Sequence, residues 1–387
     1  MIKITIQTMV LLKVQEYLRG LSICKVGVQD SLGQLKAKFA IEYKQHSKYP
    51  QLWLLKYNQI ESNFSEELVR ECRGLILDSS NNWNVVAMPF KKFFNSAEHH
   101  AAEIDWKKAT VLEKLDGSLT SLWCYNDEFN VSTSGCPDGT NQINDMGITF
   151  GELFWKCFNE QGLDIKNFDK GFTYMFELTS PYNRVVVDHK ISKITLIGIR
   201  DPFLREWPVD GDYGLALVKN PDYIVKSYSL ASLEDCLSAA AKMNPLQQEG
   251  FVAVGYERDD MGNFPRQKIK SPSYVALHHM KDRCGLSKLA DVIRQGEYQE
   301  MSIAIKTYPE LEARFLELVQ RYNNIVETCN NQFDDIKHIE NQKDFALLAC
   351  KTTYSTVLFT MRKTGKSPQL IMKEMLGNAY LRLMGVK

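Results

Sequence analysis

Lys114 stands after Thr110-Val111-Leu112-Glu113 and directly before Leu115-Asp116-Gly117-Ser118. A lysine at the end of a strand, with other cations nearby, is a candidate covalent nucleophile. Neighbouring positive charge favours the free amine, which attacks electrophiles such as the α-phosphorus of a nucleoside triphosphate. The pattern Lys-x-Asp-Gly is short, and the plain alternative is a solvated hairpin lysine. The rest of the chain has to decide between them.

Other groups suited to phosphate or nucleoside chemistry recur along the chain. Arg73-Gly74 precedes the apolar run Leu75-Ile76-Leu77. An arginine there can fork a phosphate, or it can pair with Glu71 or Asp78. Pro89-Phe90-Lys91-Lys92-Phe93-Phe94-Asn95 interleaves lysines with aromatics, which suits a base and a phosphate or, more simply, a core strand with snorkelling lysines. Glu177 lies inside the apolar strand Gly171–Ser180 and requires a partner, either a ribose hydroxyl or the nearby Arg184. Glu249 opens another β run that continues Gly250-Phe251-Val252. Lys268 and Lys270 are two apart on a third strand and project to the same side, either around an anion or screened by water.

The elements that must position these groups are legible from pattern. Gln51–Tyr57, Ser118–Tyr125 and Glu128–Thr133 read as strands, the last two forming a hairpin about Asn126-Asp127. Strands are also expected at 185–187, 193–199 and 248–256. Apolar periodicity predicts helices from Leu11 to about Gly20, over 150–158, 232–243 and 311–329, from Phe345 to Arg362 closed by Gly365, and from Ser367-Pro368 to about Met384. No strand-rich stretch follows residue 277. The fold class expected is α+β, with mainly antiparallel sheets over 1–281, an N-terminal subdomain of about 1–100, and an all-helical domain over 282–387.

The 387 residues balance 47 basic against 47 acidic side chains, so no global field announces nucleic acid. The last 37 residues nevertheless carry Lys351, Arg362, Lys363, Lys366, Lys373, Arg382 and Lys387 against the lone acid Glu374, a footprint for RNA backbone or a solvated helix face. Nine scattered cysteines without a Cys-x-x-Cys pair favour reduced thiols, and Lys3, Lys13 and Glu16 interrupt the N-terminus, so a cytoplasmic protein without a membrane partner is expected.

The order lysine, carboxylate, carboxylate, paired lysines resembles the covalent nucleotidyltransferases, and within them the RNA ligase 1 family of T-even-type phages. The resemblance rests on Glu71-Cys72-Arg73-Gly74, Lys92-Phe93-Phe94-Asn95, Lys114-Leu115-Asp116-Gly117-Ser118-Leu119, Phe176-Glu177 with Ser180-Pro181-Tyr182-Asn183-Arg184, Glu249-Gly250-Phe251-Val252 and Lys268-Ile269-Lys270-Ser271. It implies an ATP-grasp-like ligase domain in which Lys114 takes AMP from ATP, passes it to an RNA 5′-phosphate, and a 3′-hydroxyl then expels AMP. By that resemblance Arg73 would contact the nucleotide or the RNA 5′-phosphate, Lys92 the phosphates, Phe94 the nucleoside, Gly117 the nucleotide, Glu177 the ribose, and Val252 the adenine. Lys268 and Lys270 would neutralise the reacting phosphate, and Glu249 would help position Mg²⁺, with Mn²⁺ as a substitute. Cleaved tRNA as substrate, an end-healing kinase/phosphatase partner and a role in RNA repair are implied in the same way. Where the family pattern has a basic residue after the hairpin, this chain has Ser134-Gly135. Capping enzymes and DNA ligases share the lysine chemistry but continue into a β-rich domain, and an RNA-binding module without chemistry would not need the intact lysine and carboxylate set.

Overall fold

The computed structural model describes residues 11–144, 147–283, 286–296 and 309–386; Lys3, Cys284 and Lys387 fall outside them. The chain divides into two compact units, Met1–Val275 and Ala276–Lys387. The sequence pattern places the change at 281/282. Both positions fall within one helix, Pro272–Arg283, which follows the last strand at Lys270.

The first unit holds three sheets. Strands β1 (Ile41–Gln45), β2 (Leu52–Tyr57), β3 (Arg73–Asp78) and β4 (Asn84–Ala87) form an antiparallel meander. β5 (Phe94–Asn95), β6 (Ala109–Lys114), β12 (Ser227–Tyr228), β13 (Gly250–Gly255) and β14 (Arg266–Lys270) form a second sheet, ordered β12-β6-β13-β14-β5, in which only the β14–β5 pair is parallel. The third, β11-β10-β9-β7-β8, comprises β7 (Ser118–Tyr125), β8 (Glu128–Thr133), β9 (Thr173–Thr179), β10 (Lys193–Arg200) and β11 (Glu206–Trp207). The fold is therefore α+β with mainly antiparallel sheets, as the pattern indicates.

Local chemistry accounts for the joints. Asn126 and Asp127 both take positive φ, 50° and 64°, the geometry of a two-residue hairpin turn matched to strand twist. Thr149 caps the helix Phe150–Glu160 through a reciprocal pair with Glu152. That helix buries Leu153, Phe154, Cys157 and Phe158 against Tyr174, Phe176, Ile194 and Leu196, the core beneath the third sheet. The helix Leu233–Ala241 buries Cys236 and Ala240 against Val111, Phe251, Ala253 and Ile269 of the second.

Several expectations are corrected. The first helix runs from Lys13 to Ile23, past Gly20, and a further helix, Val28–Phe39, fills a stretch that reads as mixed. Residues 185–187 form no strand, because the amides of Val186 and Val187 donate to Asp116 instead of to a neighbouring strand. In the second unit the span expected as one helix is two, Gln342–Ala349 and Ser355–Thr364, broken where Thr352 turns its hydroxyl onto the Ala349 carbonyl. The last expected helix is likewise two, Pro368–Glu374 and Gly377–Leu383. Their apolar faces, with the helices Leu286–Gln295 and Pro309–Ile336, enclose a separate core that includes Leu289, Tyr322, Phe345, Leu358 and Tyr380. No helix among the described residues is long and apolar enough to cross a membrane.

Candidate active site

β6 delivers Lys114 to a cavity of about 530 Å³ lined by side chains from all three sheets. Gly250 on β13 lies opposite both Lys114 on β6 and Lys270 on β14, so the two lysines flank a residue without a side chain. A β-carbon at Gly250 would meet the Ile269 carbonyl oxygen at 2.2 Å, and its φ of +153° is one that L-residues rarely adopt. Glu249, only 3% exposed, reaches both lysines, with Oε2 2.7 Å from Lys114 Nζ and Oε1 2.8 Å from Lys270 Nζ.

The turn after Lys114 is anchored by Asp116. Its buried carboxylate accepts from the amides of Val186 and Val187 at 2.8 and 2.7 Å and from the Tyr274 hydroxyl at 2.7 Å. His189 bonds its carbonyl oxygen at 2.8 Å. Gly117 packs so closely on β9 that a β-carbon would stand 2.5 Å from the Leu178 carbonyl oxygen. Its amide donates to Glu177 Oε1 at 3.1 Å, and Asn183 bridges Ser118 and Ser180. Asp116, Gly117 and Asn183 thus fix the turn that carries the lysine relative to Glu177.

The polar lining is strongly cationic. Lys268 lies 4.7 Å and Arg73 5.4 Å from the centroid of Phe93. Burial and then the charge of Arg73 push the Lys268 ammonium down to about 7. Burial pushes the Glu177 carboxyl up to about 7, with Lys114 opposing. Arg73 takes neither of the carboxylates beside it in sequence. Glu71 is a helix cap, accepting from the amides of Lys13 and Val14, while Asp78 accepts from the Tyr125 hydroxyl and from Ser80. Arg73 Nη1 is buried with no hydrogen-bond partner among the described residues, a donor waiting for an anion. At the other side Val252, Leu112, Phe150, Ile197 and Val225 make an apolar wall.

Of the residues singled out from sequence, Arg73, Lys114, Gly117, Glu177, Val252, Lys268 and Lys270 line this cavity, and Glu249 ties two of its lysines together. Lys92 and Phe94 do not line it. Lys92 Nζ sits among the rings of Tyr57, Phe64 and Phe94, at 5.0, 4.3 and 5.3 Å, on a neighbouring groove, and Phe93 takes the cavity position expected of Phe94. Alternation could not tell the two phenylalanines apart, since strand geometry begins only at Phe94. Phe150, Ile197 and Val225 lacked any polar signal, and Lys56 lacked a motif.

Among the described residues no group of three His, Cys, Asp or Glu side chains could hold a metal ion unaided, and both Glu249 oxygens face lysines. That donor set fits Mg²⁺ carried chiefly by phosphate and water, with one carboxylate in support.

The α+β fold thus sets a lysine among cations in a cavity of about 530 Å³, an arrangement suited to binding phosphates. A family model of T4 RNA ligase 1 type, described as RNA ligase, matches residues 71–274, and the chain belongs to that family. It is 31% identical over 300 residues to a protein of Autographa californica nuclear polyhedrosis virus named as a bifunctional polynucleotide kinase/RNA ligase, covering 71% of this chain and 40% of that one. The chain therefore spans under half the length of this relative. It is 26% identical over 348 residues to an RNA ligase of Rhodothermus phage RM378, covering 75% and 78% of the two chains. An archaeal ATP-dependent RNA ligase structure aligns over 77% of this chain and 78% of its own, at 15% identity and a TM-score of 0.43.

Proposed function

We propose that the protein is an ATP-dependent RNA ligase that joins 5′-phosphate and 3′-hydroxyl ends through a lysyl-AMP intermediate on Lys114. The observation that carries this reading is the Lys114–Glu249–Lys270 triplet at the base of a cavity with a cationic and an apolar side. The apolar wall at Val252 suits adenine, Glu177 with the Gly117 amide suits ribose hydroxyls, and Lys268, Lys270 and Arg73 suit phosphates. In the first step the Lys114 Nζ lone pair forms the N–P bond to the α-phosphorus. The Pα–O bond to the β-phosphate breaks and its electron pair leaves on pyrophosphate. Glu249 Oε2 is the acceptor within reach of the proton that Nζ gives up. Lys268 and Lys270 offset the charge that builds on the α-phosphate oxygens. When bound, Mg²⁺ would add further neutralisation of the phosphates, with Glu249 as the carboxylate that would help hold it, and Mn²⁺ would substitute.

AMP then passes to the RNA 5′-phosphate, and the 3′-hydroxyl displaces it. The helical unit, with its exposed Lys351, Lys363, Lys373 and Arg382, would select the RNA, of which a cleaved tRNA is one form. Part of the basic footprint is otherwise engaged. Arg362 donates to the Ile339 and Glu340 carbonyls and covers Phe345, and Lys366 pairs with Glu374. The viral relative's name couples kinase and ligase, which supports a kinase as the source of the 5′-phosphate. The test is ligation of a single-stranded RNA with ATP and Mg²⁺. Circles or multimers should form from the 5′-phosphorylated strand and none from the 5′-hydroxyl strand. Absence of joining with a folded, nucleotide-binding protein would contradict the assignment.

A further inference from the structure

Lys56 lines the cavity yet belongs to none of the motifs. It is the fifth residue of β2 and stands directly opposite Arg73 of β3 in the antiparallel register. Like charges placed so are unfavourable unless an anion or water separates them. Lys56 is exposed, and no carboxylate among the described residues lies within ion-pair distance of it, whereas Glu42 of the adjoining strand is taken by Lys36.

The segment Thr133-Ser134-Gly135 packs over this pair. A β-carbon on Gly74 would come within 3.0 Å of Ser134 Cα, and one on Gly135 would meet Lys56 Nζ at 3.2 Å. The small residues at 134 and 135 thus leave the space that the Lys56 side chain occupies. From Lys114 outward the cations form a graded row. Lys270 shares Glu249 with the nucleophile, Lys268 and Arg73 share the ring of Phe93, and Lys56 lies across from Arg73. That row would receive the β- and γ-phosphates of a triphosphate whose α-phosphorus meets Lys114.

Resting on the reading of the cavity given above, we propose that Lys56 binds the β- and γ-phosphates of ATP, and hence the departing pyrophosphate, in place of a basic side chain at position 134. Its ammonium offsets the charge that the leaving electron pair carries onto pyrophosphate. It has no comparable task once AMP has been transferred.

The experiment compares wild type, Lys56→Ala and Lys56→Arg in equilibrium binding of α,β-methylene-ATP, whose bridge Lys114 cannot cleave, and of AMP. Lys56→Ala should bind the triphosphate analogue about 10- to 100-fold more weakly, the loss expected for one charge-assisted contact, with AMP binding unchanged and Lys56→Arg close to wild type. Sealing of pre-adenylylated RNA by Lys56→Ala should match wild type. Equal loss for analogue and AMP, or no loss for either, would overturn the proposal. So would a matching defect in sealing pre-adenylylated RNA, which would place Lys56 on the RNA. If wild type binds the analogue in this Lys56-dependent way but never labels Lys114 with AMP, the ligase mechanism fails and the phosphate site stands. If wild type binds no nucleotide, both fall.

Discussion

Lys114→Ala abolishes transfer of AMP to the protein and ATP-driven sealing of 5′-phosphorylated RNA, while sealing of pre-adenylylated RNA persists. Lys114 takes up AMP in the first step and releases it in the second; the last step needs the RNA 3′-hydroxyl and the phosphate-binding cations, which remain. Loss of a covalent nucleophile costs a factor on the order of 10⁴ or more. The variant should fold, because Glu249 keeps Lys270 as its ion partner at 2.8 Å and Lys114 is itself 20% exposed. Gel assays with α-labelled ATP and with the two RNA substrates separate the steps. Undiminished labelling would move the nucleophile elsewhere. Loss of both activities in a folded variant would mean that Lys114 serves the RNA as well.

Lys268→Ala should slow lysyl-AMP formation by roughly 10²–10³, the scale seen when one preorganised charge-stabilising donor is removed. It should also change the pH dependence of ATP binding. Burial and the charge of Arg73 bring the Lys268 ammonium down to about 7 in the free protein, so above that pH the side chain is largely neutral. Phosphate favours the ammonium form. Wild-type affinity for ATP should therefore fall as pH rises above about 7, and binding there should take up a proton, visible as a buffer-dependent heat. Glu177, pushed up to about 7 by burial, acts with the opposite sign, since its ionised form accepts from ribose and from the Gly117 amide and is lost as pH falls below 7. In Lys268→Ala the alkaline fall should disappear while the acid-side change stays. An alkaline fall preserved in the variant would assign it to another group.

How much of this was legible in the sequence differs by element. The strands that carry Lys114, Glu177, Lys268 and Lys270 announce themselves because each carries residues that bury in a core, Val111 and Leu112 on β6, Tyr174, Met175, Phe176 and Leu178 on β9 and Ile269 on β14, and the hairpin turn needs residues tolerant of positive φ, which Asn126 and Asp127 are. The two separate tasks of Glu71 and Asp78 were not legible. Their partners, the amides of Lys13 and Val14 and the hydroxyl of Tyr125, come from elements that no local pattern links to them. The same holds for Asp116. Read locally it is a turn residue, and only the fold brings Val186, Val187 and Tyr274 to it, converting an expected strand at 185–187 into a loop. Lys56 was invisible for the converse reason: its neighbours in the chain are ordinary strand residues, and its meaning comes from Arg73 across the sheet and Gly135 above it. The interrupted helices of the second unit reflect turns at Thr352 and Leu376 that apolar periodicity runs straight through.

Incubation of the wild-type protein with Mg²⁺ and ATP labelled at the α- or the γ-phosphate, then denaturation and peptide mapping, shows whether Lys114 is the nucleophile. Label should come from α-labelled ATP only, on the peptide containing Lys114, in an acid-labile, alkali-stable bond, with GTP a poor donor. Label from GTP in preference to ATP, label on a different residue, or none on folded protein freed of bound AMP would contradict the ligase mechanism.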